Sequence, residues 1–130
     1  MKLEDIKMSN QYTAYVLDNA SREQLLAKFP PKYPKEVAHH ITVEYPAPEN
    51  AVAPPAAKVN VVGYVDSGDG LEALIVSVNG KSERPDGKTY HITWSLDPTK
   101  YSPKDSNELI QKKKFTLVRA LPVQTTPEVL

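Results

Sequence analysis

Two of the chain's three histidines sit in identical tripeptides, His40-Ile41-Thr42 and His91-Ile92-Thr93. Each lies in a run that reads as a β-strand. Residues two apart share a strand face, so each imidazole projects beside its threonine hydroxyl while the isoleucine points away. Two imidazoles and two hydroxyls converging on one anionic group suit phosphodiester chemistry. Without a metal, such chemistry needs a base for the nucleophile and an acid for the leaving oxygen, on opposite sides of phosphorus. Imidazole serves both tasks, because its unperturbed pKa of about 6.5 leaves both protonation states accessible. Threonine hydroxyls can donate to the non-bridging oxygens, where charge must be held. With three histidines and eight threonines in 130 residues, about 0.2 His-x-Thr matches arise by chance. Two matches with the same central residue favour a chemical role over two unrelated strand histidines.

The elements that must position these motifs belong to a single domain, as 130 residues and 40% apolar content suggest. Residues 12–17 read as a strand. Ser21 is the expected N-cap of a short helix carrying Leu25, Leu26 and Phe29, stopped by Pro30-Pro31. Residues 30–36 hold three prolines and are expected to be irregular. Residues 37–45 form a strand with the first motif, and the Pro/Ala-rich stretch 46–57 a surface loop. Runs 58–65 and 71–78 make a hairpin around Asp66-Ser67-Gly68-Asp69-Gly70. After the turn Arg84-Pro85-Asp86-Gly87, residues 88–96 form the strand of the second motif. Ser102-Pro103 opens a helix to about residue 112, and 115–123 is the last strand. The expectation is an α+β fold, a mostly antiparallel sheet or sheets with two short helices packed outside. The core spans 12–123, the tail 124–130 frays, and the paired motifs suggest a pseudo-two-fold arrangement.

Sixteen basic and sixteen acidic residues cancel, so no global positive field exists for long duplex nucleic acid or a membrane surface. Cysteine is absent, which excludes disulfides, thiol nucleophiles and thiolate metal sites. The first eleven residues include Glu4 and Asp5 and no apolar core, unlike a signal peptide. A cytoplasmic monomer without a cofactor is expected.

His40, Thr42, His91 and Thr93 match, position by position, the paired His-x-Thr/Ser signature of the two-histidine (2H) phosphoesterase superfamily, the LigT-like proteins, which this chain resembles. Residues 90–110 resemble compact members that process RNA ends or act in phage counter-defence. The resemblance implies His40 and His91 as acid and base, Thr42 and Thr93 as phosphate ligands, and metal-independent hydrolysis. The implied substrate is a nucleotide or RNA 2′,3′-cyclic phosphate end. One alternative is a cyclic oligonucleotide messenger in an anti-defence setting. Another, of a different class, is a module that binds a nucleotide or RNA end without turnover.

Around the motifs, His39 should face away from His40 on a regular strand, which also disfavours a metal site formed by His39, His40 and His91. Trp94 should fill the core rather than stack on a base, and Tyr45 should face away unless the strand bulges. Tyr12 and Tyr33 are candidate stacking residues. Lys81, Arg84 and Lys88 form a basic turn able to steer an anion. Ser106 and Asn107 either cap the second helix, the simpler expectation, or meet substrate, in which case Asn107 is a candidate contact.

Overall fold

The computed structural model describes residues 10–130; the stretch read above as unlike a signal peptide lies, through residue 9, outside the described residues. The element order is β1 (Thr13–Leu17), α1 (Asn19–Lys28), β2 (Lys35–Glu36), β3 (His40–Glu44), β4 (Val59–Asp66), β5 (Leu71–Val78), β6 (His91–Leu96), α2 (Asp105–Lys112), β7 (Thr116–Val123) and β8 (Thr125–Val129). The fold is α+β. Its strands form two sheets, one ordered β3-β1-β8 and the other β2-β6-β5-β4-β7. Every pairing is antiparallel. No helix among the described residues is long and apolar enough to cross a membrane.

The main core lies between the two sheets. Tyr15 and Leu17 of β1, Ile41 of β3 and Leu25 of α1 pack with Val59, Val61, Leu74, Val76, Ile92 and Trp94 of the larger sheet. On the other face of that sheet, Ala73, Ile75 and Val65 pack with Leu109 and Ile110 of α2 and with Phe115. Strand β5 is therefore buried on both faces, as its nearly continuous apolar run requires. Ile41 and Ile92 are both fully buried, so each motif is anchored in the core by its middle residue.

The chain itself joins the sheets beside the motifs. Val37 and Ala38 donate to Trp94 and Thr93 of β6 at 2.9 and 3.0 Å. Ala38 then adopts φ +42°, an uncommon left-handed conformation for alanine. From His40 onward the chain pairs with β1 instead. This crossing carries the first motif off the sheet that holds the second, while keeping the two adjacent.

Four expectations are corrected. The tail is not frayed: β8 pairs with β1 along its whole length, Tyr15 opposite Pro127. Proline is tolerated there because β8 is an edge strand. The cap of α1 is Asp18, whose carboxylate accepts from Ser21 N–H at 2.8 Å. Ser21 is inside the helix, and its hydroxyl accepts from Gln124 N–H. Within the stretch expected to be irregular, Lys35 and Glu36 form a short strand on β6. Finally, the first motif strand starts at His40 rather than at residue 37, because the left-handed turn at Ala38 interrupts it.

Candidate active site

Both motif strands shift register by one residue immediately after their threonine. Thr13 pairs with Glu44 and Ala14 with Thr42, leaving Val43 as the extra residue. Glu72 pairs with Ser95 and Ala73 with Thr93, leaving Trp94 extra. A bulge bends the strand and re-aims side chains. The two tripeptides thus share their local geometry as well as their sequence.

His40, Thr42, His91 and Thr93 line one cavity of about 270 Å³ at the seam between the sheets. Tyr12, Arg84, Lys88 and Asn107, candidate contacts from the sequence, line it too. Tyr33 does not. Its hydroxyl donates to Asp66 at 2.5 Å and its backbone N–H to Ser95 Oγ, pinning the Pro-rich loop away from the cavity. Lys81 is not among the lining residues, whereas Lys104 is.

The aromatic wall was only partly foreseen. The bulge at Val43 reverses the alternation of β3, and Tyr45 reaches the cavity, 6.0 Å from the Tyr12 ring in an edge-on arrangement. Tyr12 in turn lies 5.1 Å from the His40 ring. Trp94 is fully buried, its indole N–H donating to the Phe29 carbonyl at 2.7 Å.

The surroundings of the two imidazoles differ. His91 is buried, and its Nδ1 lies 2.8 Å from the Thr89 carbonyl. A carbonyl only accepts, so Nδ1 carries the proton and Nε2 keeps its lone pair. His40 Nδ1 instead lies 3.0 Å from His39 Nδ1. His39 therefore does not face away: the turn at Ala38 sets it outside the regular strand, and its exposed ring meets His40 edge-on, centroids 5.2 Å apart. Among the described residues no group of three His, Cys, Asp or Glu side chains is placed to hold a metal.

Burial, then the proximity of His39 and His91, pushes the His40 imidazole down to about 4. Burial also pushes His91 below its ordinary value, opposed by the bond to Thr89 and reinforced by the Arg84 and Lys88 cations. Both are held neutral in the fold. Below the ordinary 6.5, the unfolded chain binds protons that the folded chain refuses, so stability should fall as pH drops from 6.5 toward 4. Above that window these groups add no slope. Urea unfolding at pH 7 and pH 4.5 measures the loss, and His40→Gln should flatten it.

Thr42 has no hydrogen-bond partner for its hydroxyl among the described residues. Thr93 Oγ1 lies 2.8 Å from the fully buried Ser106 hydroxyl and 3.2 Å from the Pro103 carbonyl. Ser106 is thus not a cap; it ties the second motif to α2. Asn107 is likewise not the cap, a position held by Lys104 without a side-chain bond.

Arg84 is the most informative cation. Only 4% of it is exposed, yet it lines the cavity. Its Nη2 pairs with Asp86 at 2.8 Å, but its buried Nε has no partner among the described residues. A buried donor without an acceptor costs about 1–3 kcal/mol, which an anion in the cavity would remove. Inorganic phosphate should therefore raise the Tm, by linkage, and Arg84→Met should lose most of that increase. An equal phosphate shift in the variant would remove Arg84 from the anion site.

No family model, curated protein or solved structure matches the chain.

Proposed function

We propose that this protein is a metal-independent phosphodiesterase of the two-histidine type, hydrolysing a nucleotide or RNA 2′,3′-cyclic phosphate. The observation that carries the reading is that two identical His-Ile-Thr strands, belonging to different sheets, line one cavity together with a buried arginine whose Nε has no partner among the described residues. One imidazole takes a proton from the attacking water while the other protonates the leaving ribose oxygen. Thr42 and Arg84 hold the non-bridging oxygens, where the transition state concentrates charge, and Thr93 joins them once its hydroxyl proton turns from the Pro103 carbonyl.

A cavity of about 270 Å³ lies just below the range of about 300–1,000 Å³ usual for ligand sites. That size suits one nucleotide better than a cyclic di- or trinucleotide. The aromatic pair Tyr12 and Tyr45 offers the base an apolar wall. Net charge near zero fits a small substrate gripped locally by Arg84, Lys88 and Lys104.

The test is incubation with panels of 2′,3′-cyclic nucleotides and of cyclic di- and trinucleotides, with products read by mass. Conversion of the first panel to nucleoside monophosphates supports the reading. Conversion of the second panel alone moves the substrate to a cyclic oligonucleotide. Binding without conversion of either makes the protein a recognition module.

A further inference from the structure

The two site histidines contact different kinds of group through Nδ1, and that difference divides their roles. His91 Nδ1 faces a backbone carbonyl, so its proton stays on Nδ1 and its Nε2 can only accept from the cavity. His91 is therefore suited to be the base. His40 has to be the acid, and a neutral imidazole gives up an Nε2 proton only if Nδ1 receives one. Its Nδ1 faces a group able to supply it, a second ring nitrogen, His39 Nδ1 at 3.0 Å. His39 is exposed whereas His40 is partly buried, so His39 can exchange protons with solvent during turnover.

Resting on the phosphodiesterase reading above, we propose that His39 is a positioning residue that relays a proton from solvent through His40 to the leaving oxygen. The step begins with His39 as imidazolium and with His40 and His91 neutral. Water gives a proton to His91 Nε2 as its oxygen bonds to phosphorus. The bond from phosphorus to the ribose oxygen breaks, and that oxygen takes the Nε2 proton of His40. His39 Nδ1–H passes its proton to His40 Nδ1. Charge balances: His39 ends neutral, His40 remains neutral in its other tautomer, and His91 ends as imidazolium. Solvent then reprotonates His39 and deprotonates His91.

The groups around this relay are of the sign it needs. Arg84 and Lys88 act on His91 from the turn before β6 and favour its neutral form. The phenol ring of Tyr12, just before β1, lies against the His40 ring. Among the described residues no acidic group pairs with either ring of the His39–His40 pair.

The experiment compares His39→Ala and His39→Asn with wild type on a 2′,3′-cyclic nucleotide. An asparagine amide can donate to His40 Nδ1 but cannot transfer its proton, which separates a relay from a group that merely orients. Both variants should lose roughly tenfold to a hundredfold in kcat with KM nearly unchanged. The alkaline limb of the pH profile should move to lower pH, and added imidazole should restore turnover to His39→Ala. Full activity in His39→Asn, or no rescue by imidazole, overturns the relay. A nitrogen-15 NMR spectrum of wild type should find His40 protonated at Nε2; protonation at Nδ1 overturns it as well. Wild type that turns over no substrate overturns the enzyme reading, and the relay with it. An active wild type with an unaffected His39→Ala overturns the relay alone.

Discussion

His91→Ala should lower turnover by about 10²–10⁴-fold, the usual contribution of a positioned general base, while product binding changes little. His40→Ala should do the same. The double variant should lose hardly more than either alone, because acid and base act in one concerted step and removing one idles the other. On the proposed mechanism binding survives, because Thr42, Thr93, Arg84 and Lys88, which line the same cavity, are left in place to hold the anion. Single-turnover kinetics with product affinity measured in parallel checks this. Additive losses would mean that the two imidazoles act in separate steps. A loss confined to KM would reassign them to binding.

Trp94→Ala should have the largest effect on stability, about 3–5 kcal/mol, as expected for removing a fully buried indole. That is a large part of the roughly 5–15 kcal/mol that holds a domain of this kind together. Trp94 is the extra residue of the bulge after Thr93 and sits in the main core. Its N–H also closes the end of α1 through the Phe29 carbonyl. Trp94→Phe keeps much of the ring but leaves that carbonyl without its donor, and should cost about 1–3 kcal/mol. Chemical denaturation measures both. A loss below about 1 kcal/mol in Trp94→Ala would contradict the anchoring role.

The placement of the motif side chains was legible because it depends on local alternation. Ile41 and Ile92 point into the core, as period two requires, and the hydroxyls and imidazoles share the opposite side. Helices and strands near apolar runs were legible for the same reason, from β4 and β5 to the turn between them. What could not be read were features set by distant partners. Asp18 caps α1 and Ser21 is drawn instead to Gln124, a contact across most of the chain. The tail 124–130 was expected to fray because nothing local reveals that it pairs with β1 as an edge strand.

The aromatic wall and the histidine pair were misplaced by parity. The alternation rule holds only while the strand is regular, and β3 departs from it at both ends. The left-handed turn at Ala38 brings His39 onto His40, and the bulge at Val43 brings Tyr45 into the cavity. Arg84 was legible as a cation near the site. Its burial was not, because that depends on how the 84–87 turn folds back, with Arg84 N–H donating to the Lys88 carbonyl.

The central claim is that both His-Ile-Thr motifs act on one phosphate without a metal. The most direct measurement is hydrolysis of a 2′,3′-cyclic mononucleotide by wild type and by the His40→Ala/His91→Ala variant, each with excess EDTA. The expected result is undiminished wild-type turnover in chelator, with a single nucleoside monophosphate product, and turnover about 10²–10⁴-fold lower from the variant. Wild-type activity abolished by EDTA, or hydrolysis at the wild-type rate in the double variant, would contradict it.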